Sequence, residues 1–342
     1  GGLDHVIGQL GLVLVVVSWI GLAVLLSRSR GARRVVDDAL SLADIPPTRS
    51  PVSIWRVLIG LPFRGRMVEK IKNVEFSRVA GRTLKLDVYR SRQPGSDRPV
   101  LLYLHGGAWV MGDKTEQGLP MLHHLARSGW VCFSANYRLS PGATFPDHLV
   151  DAKAALLWIK EHAHEYGGDA SFVAVSGGSA GGHIASLVAL TAEDERYQPA
   201  GTDTSVQAAV PIYGITDLTN RLGAQSDRFV SMIMEPLVMK AFLDEEPGAY
   251  HAASPIDRVS DHAPPFLIIQ GERDTLAPVV ESRAFVDRLT TSSQHDVVYM
   301  EFPGAQHIFD MFYSYRSACM IDGVAAFLEH TRHSNREADL PR

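Results

Sequence analysis

The sequence predicts an α/β chain built on a mostly parallel central sheet with helices on both faces. Three observations carry that expectation. From about residue 71, short runs of strand length alternate with longer runs of helical period. Most of the short runs are apolar throughout, as strands covered on both faces are. A serine bracketed by glycines stands where one such run gives way to a helical one.

In chain order, VEFSRV at 74–79 and LKLDVYR at 84–90 alternate apolar with polar residues, the pattern of a half-exposed opening hairpin. VLLYLHG, VCFSANY, FVAVSGG, AAVPIYG, FLIIQG and VVYMEF follow as continuous apolar strands. Between them, helices are expected at 147–165, where Leu149, Ala152, Leu156, Leu157 and Ile159 recur at helical spacing, and at 278–290 and 308–330. An insertion at 217–254 breaks the rhythm and reads as a cap over the sheet. Its Phe229, Met232, Met234, Met239 and Phe242 are expected either to line a pocket or to form the core of a lid.

Residues 6–26 carry no charge, and at helical rise they would cover about 30 Å, a bilayer core. A membrane-spanning helix is expected there. Asp4 precedes the run and Arg28, Arg30, Arg33 and Arg34 follow it, an order opposite to a signal peptide's, which places the C-terminal side in the cytoplasm. The expected organisation is a membrane anchor at 1–34, a linker at 35–70, a catalytic domain at 71–332 and a polar tail at 333–342. Within the linker, SIWRVLIGLPFRGRMVEK is either an interfacial amphipathic segment or a lid helix.

With 46% apolar residues over 342 positions, the chain can bury a large core, which excludes a disordered protein. A formal charge of −5 without a basic stripe excludes nucleic acid as a partner. The two cysteines, Cys132 and Cys319, have neither metal-site nor disulfide spacing and read as inert thiols.

The chemistry concentrates in four places. SGGSAGG at 176–182 gives Gly177-x-Ser179-x-Gly181 between a strand and a helix, where the flanking glycines admit a tight turn that presents the serine. Upstream, a strand runs into His105, Gly106, Gly107, Ala108 and Trp109, a loop whose Gly106 and Gly107 N–H groups, with that of Ala180, are suited to a developing oxyanion. His105 is expected to anchor that turn. Downstream, Asp274 follows one strand and His307 the next. The chain order Ser179, Asp274, His307 is that of an α/β-hydrolase, with every member at the C-terminal end of a strand. In this arrangement His307 takes the serine proton and Asp274 fixes the imidazole tautomer. His164 with Asp169, and Asp147, His148 and Asp151 at a helix start, are expected to be structural, and Asp217 to brace a wall of the site.

Taken together, HGGAW, YRLSPGATFP, GGSAGG, GERDTLAP and GAQHIFD resemble the bacterial esterases of the hormone-sensitive lipase group and their arylformamidase-like and prenylcysteine-methylesterase-like relatives. They are also similar to the membrane-associated Lip esterases of mycobacteria. The resemblance covers about residues 71–332. It implies Ser179, Asp274 and His307 as a triad, Gly106, Gly107 and Ala180 as oxyanion donors, and small acyl esters of short to medium chain as substrates. Gly178 replaces the acidic residue many members carry before the serine, and Ala108 replaces a third glycine. The resulting expectation is a serine ester hydrolase working through an acyl-enzyme, without metal or organic cofactor. Acyl transfer and amide or thioester cleavage by the same serine stay open, as does a silent receptor on the hydrolase fold.

Overall fold

A computed structural model describes residues 5–53, 55, 57 and 67–338. Eight strands form one sheet: β1 (Val68–Val79), β2 (Arg82–Ser91), β3 (Arg98–Leu104), β4 (Val131–Ala135), β5 (Gly168–Gly178), β6 (Ala208–Ile212), β7 (Phe266–Gly271) and β8 (Val297–Phe302). Their spatial order is β1-β2-β4-β3-β5-β6-β7-β8. β2 pairs antiparallel with both β1 and β4, and every other pairing is parallel.

The continuous apolar runs are strands because both faces are covered. On β3, Val100, Leu102 and Leu104 enter one buried cluster while Leu101 and Tyr103 enter the other, so strict alternation serves two cores rather than a core and solvent. The helices that cover them include Leu119–Arg127, Asp147–His162, Ala180–Leu190, Val279–Ser292 and Tyr315–Ala338. The last begins seven residues later than the spacing predicts. Residues 303–314 instead make an irregular loop in which Ile308 adopts a φ of +53°, a left-handed conformation that a β-branched residue in a helix never takes.

Residues 6–26 lie on helix α1 (Val6–Arg30), but among the described residues no helix is long and apolar enough to cross a membrane. The expected span, the anchor drawn from it, the bilayer as a partner and the membrane localisation are therefore not borne out. Leu22, Leu25 and Leu26, which complete the expected run, lie outside the described side chains. Two of the four arginines that set the expected orientation lie against the fold instead. Arg28 lies beside Gly304, where a Cβ would meet its Cδ at 3.4 Å, and Arg33 pairs with Asp322 at 2.6 Å.

Helix α2 (Ala32–Leu42) occupies the start of the expected linker. Its Ala32, Val36, Ala39 and Leu40 fall on one face and are buried in the core against the helix Tyr315–Ala338. The amphipathic or lid segment expected at 53–70 falls almost wholly outside the described residues.

Candidate active site

The site is assembled where β3, β5, β7 and β8 end. β5 delivers Ser179 at φ 56° and ψ −120°, a sparsely populated conformation that the helix Ala180–Leu190 follows at once. The turn is possible because Gly181 has no side chain. A Cβ there would stand 2.1 Å from the Leu104 carbonyl oxygen, inside the adjacent strand. The Ser179 N–H donates to the Ile212 carbonyl at 2.9 Å, fastening the turn to β6 as well.

The three side chains singled out from sequence meet. Ser179 Oγ lies 2.9 Å from His307 Nε2, and His307 Nδ1 lies 2.7 Å from Asp274 Oδ2. The Asp274 side chain is fully buried, and its other oxygen accepts the N–H groups of Leu276 at 2.9 Å and Ala277 at 2.8 Å. A carboxylate so held presents a fixed acceptor to Nδ1, with Nε2 facing the serine hydroxyl. Tyr213 packs against the imidazole with ring centroids 4.8 Å apart, and its hydroxyl donates to buried Asp310. Burial raises the Asp310 carboxyl above its usual range.

The loop after β3 runs through three successive positive φ values: Gly107 at 125°, Ala108 at 50° and Trp109 at 60°. Side chains and backbone groups pin it at several points. Tyr137 donates to the His105 carbonyl at 2.8 Å, and the Ser140 N–H to the Trp109 carbonyl at 2.8 Å. Val110 and Met111 both donate to the Gly107 carbonyl at 3.0 Å. His105 behaves as the turn anchor expected, with Nδ1 at 2.8 Å from the Gly106 carbonyl and its ring stacked on Tyr137. One of the N–H groups assigned to an oxyanion is already occupied: Gly106 donates to Gln117 Oε1 at 2.8 Å.

The BD-FAE family model matches residues 86–289, more than half of the chain. The chain belongs to the BD-FAE family. It is 44% identical over 266 residues to the probable carboxylic ester hydrolase LipM of Mycobacterium tuberculosis, a match covering 75% of this chain and 61% of LipM. It is 43% identical over 256 residues to esterase LipC of the same organism, covering 74% of this chain and 63% of LipC. The chain thus spans about three fifths of the length of these relatives. Two solved structures share the fold. A truncated form of a carbohydrate esterase from gut microbiota has a TM-score of 0.66 at 22% identity, covering 79% of this chain and 99% of its own. Esterase Est2 of Thermogutta terrifontis has a TM-score of 0.62 at 22% identity, covering 80% and 93%. The expected likeness to bacterial Lip-type esterases is borne out.

Within this BD-FAE member, other singled-out residues are structural. Asp151 is buried and accepts the Arg138 backbone N–H and guanidinium, while His148 Nε2 lies 3.2 Å from Ser140 Oγ. Asp217 pairs with Arg221 at 2.9 Å and takes the Thr219 hydroxyl, fastening the first turn of the cap. In the cap, Met234 and Met239 are buried, Phe229 is half-buried, and Met232 and Phe242 are exposed. Its central part, Val230–Met239, is a π-helix containing Pro236, tied to the 140s loop by Phe145 N–H to the Val238 carbonyl at 2.9 Å.

Sequence reasoning missed two residues. His183 bridges three elements: Trp109 Nε1 donates to its Nδ1 at 3.2 Å, and its Nε2 donates to the Ala253 carbonyl at 2.7 Å. Burial pushes this imidazole down to about 4, in keeping with a neutral ring that already uses both nitrogens. Gln117 is the other, and nothing in the polar stretch GDKTEQG marks it.

Proposed function

We propose that the chain hydrolyses carboxylic esters through an acyl-enzyme on Ser179. The observation that carries this reading is the unbroken chain from Ser179 Oγ through the His307 imidazole to a buried, doubly anchored Asp274 carboxylate. The esterase and ester hydrolase names of its relatives support the same reaction.

Ser179 Oγ attacks the acyl carbon while His307 Nε2 takes the hydroxyl proton, and Asp274 stabilises the imidazolium. The carbonyl π electrons pass to the oxygen, which the backbone N–H groups of Gly107 and Ala180 stabilise, that of Gly106 being taken by Gln117. Each donor of this kind is worth roughly 3 kcal/mol in the transition state. His307 then protonates the departing alkoxide as the C–O bond breaks. Water attacks the acyl-enzyme with its proton going to His307, and release of the acid returns that proton to Ser179. Apolar residues close in sequence to each part of the site are exposed, Met111 after the glycine loop, Leu276 after Asp274 and Ile308 after His307, which supports an acyl substrate.

The test is initial-rate hydrolysis of p-nitrophenyl esters from acetyl to palmitoyl by wild type and Ser179→Ala. Activity in the wild type, lost in the variant, is the expected result, and the chain-length optimum defines the acyl preference. An active Ser179→Ala protein, or a folded wild type that turns over none of the series, overturns the reading.

A further inference from the structure

We propose that Gln117 is a positioning residue for the oxyanion site: its carboxamide takes the Gly106 N–H and locks the strained loop so that Gly107 and Ala180 are the N–H groups that meet the acyl oxygen. The inference rests on the ester hydrolase reading above and deepens it.

Three observations converge on Gln117. Its Oε1 accepts the Gly106 N–H at 2.8 Å, a bond across eleven positions of sequence that connects the loop after β3 to the approach to the helix Leu119–Arg127. The contact lies at the site itself, since a Cβ on Gly106 would fall 2.8 Å from this Oε1 and 3.1 Å from Ser179 Cβ. The loop that it holds carries left-handed conformations at Ala108 and Trp109, which cost on the order of 1 kcal/mol or more each and persist only where surrounding bonds over-determine them.

The turn that leads to Gln117 is fastened to the sheet. The Lys114 N–H donates to Asn136 Oδ1 at 2.7 Å, and Asn136 Nδ2 donates to Asp113 at 2.8 Å. These bonds fix the 113–117 turn on the end of β4. A side chain mounted on a fixed turn, bonded to a strained loop, resists that loop's relaxation. The N–H that it takes is thereby withdrawn from the acyl oxygen, which leaves two donors aimed at the developing charge.

A residue that only props up the fold alters stability, whereas one that aims oxyanion donors alters transition-state binding. Gln117→Met keeps the length of the side chain and removes the acceptor, and Gln117→Ala is the second variant should methionine perturb folding. For the folded variant, kcat and KM are measured on a p-nitrophenyl ester together with the Ki of a trifluoromethyl ketone, whose serine adduct carries a tetrahedral oxyanion. The expected result is a kcat about tenfold lower, a KM within twofold of wild type and a Ki raised by the same factor as kcat falls. Unchanged kcat and Ki overturn the proposal. So does a higher kcat, which would make Gln117 a competitor for the Gly106 N–H rather than its anchor. A wild type that neither hydrolyses the ester nor binds the ketone defeats the Ser179 reading and this proposal together. An active wild type matched by its Gln117 variants defeats this proposal alone.

Discussion

The glycine loop at 105–109 and the cap at 217–254 both depart from regular structure, yet they are held in opposite ways. The loop accumulates positive φ values and is fastened at His105, Gly106 and Trp109 by three other parts of the chain, and at Gly107 by its own continuation at Val110 and Met111. The cap is fastened at its start by Asp217 and along its buried side by Met234, Val238 and Met239, while Met232 and Phe242 each leave 57% of their surface exposed. The contrast assigns tolerance. In the glycine loop, the residues on either side of strained Ala108 are each held by a hydrogen bond. Where the chain shapes only access, large apolar groups are left uncovered.

The sharpest way to break this comparison is at the rigid end. Asp274→Asn keeps the shape but offers Nδ1 an amide in place of the carboxylate, favouring the wrong imidazole tautomer, and kcat should fall by about 10⁴. A fall below tenfold in steady-state kinetics would show that the buried carboxylate is not what orients His307.

A smaller effect belongs to the bridge at His183. Its folded-state value of about 4 lies below the ordinary 6.5, so the unfolded chain gains a proton that the folded one refuses. Stability is therefore full above pH 6.5 and declines as pH falls from 6.5 toward 4, by on the order of 3 kcal/mol for a shift of this size. His148, also pushed down to about 4 by burial, adds in the same direction. Thermal melts across that window should show a falling Tm, with a shallower slope in His183→Gln. Equal slopes would remove His183 from the acid response.

At the tolerant end the expected effect is least. Met232→Ala combined with Phe242→Ala should change stability by less than about 0.5 kcal/mol per site, as exposed positions do. It should move the optimum of the p-nitrophenyl ester series rather than the overall rate on acetyl esters. A loss of acetyl ester turnover comparable to that of Asp274→Asn would show that the cap is part of the rigid machinery.

How far each region can be read from sequence follows the same division. The turn around Ser179 is legible because its constraint is local: glycines within two residues of the serine, a strand before and a helix after. Asp274 and His307 are legible because each lies on the loop just past a largely apolar strand. Gln117 and His183 act across 11 and 74 positions of sequence, so no local pattern reports them. Helix α2 is obscured by the charges of Arg33, Arg34, Asp37 and Asp38, which interrupt an inner face only four small or aliphatic residues wide. The expected span came from an absence of charge over 6–26. That pattern correctly signals a helix but does not show that the arginines after it, two of which engage Gly304 and Asp322, are free to set an orientation.

The most direct test of the central claim is the mass of the enzyme during turnover. A p-nitrophenyl ester mixed with wild type and quenched in acid within the first turnovers should give a burst of one p-nitrophenolate per chain and a protein heavier by one acyl group, located by peptide mapping on Ser179. Turnover without that adduct, or with the acyl group on another residue, would contradict the account.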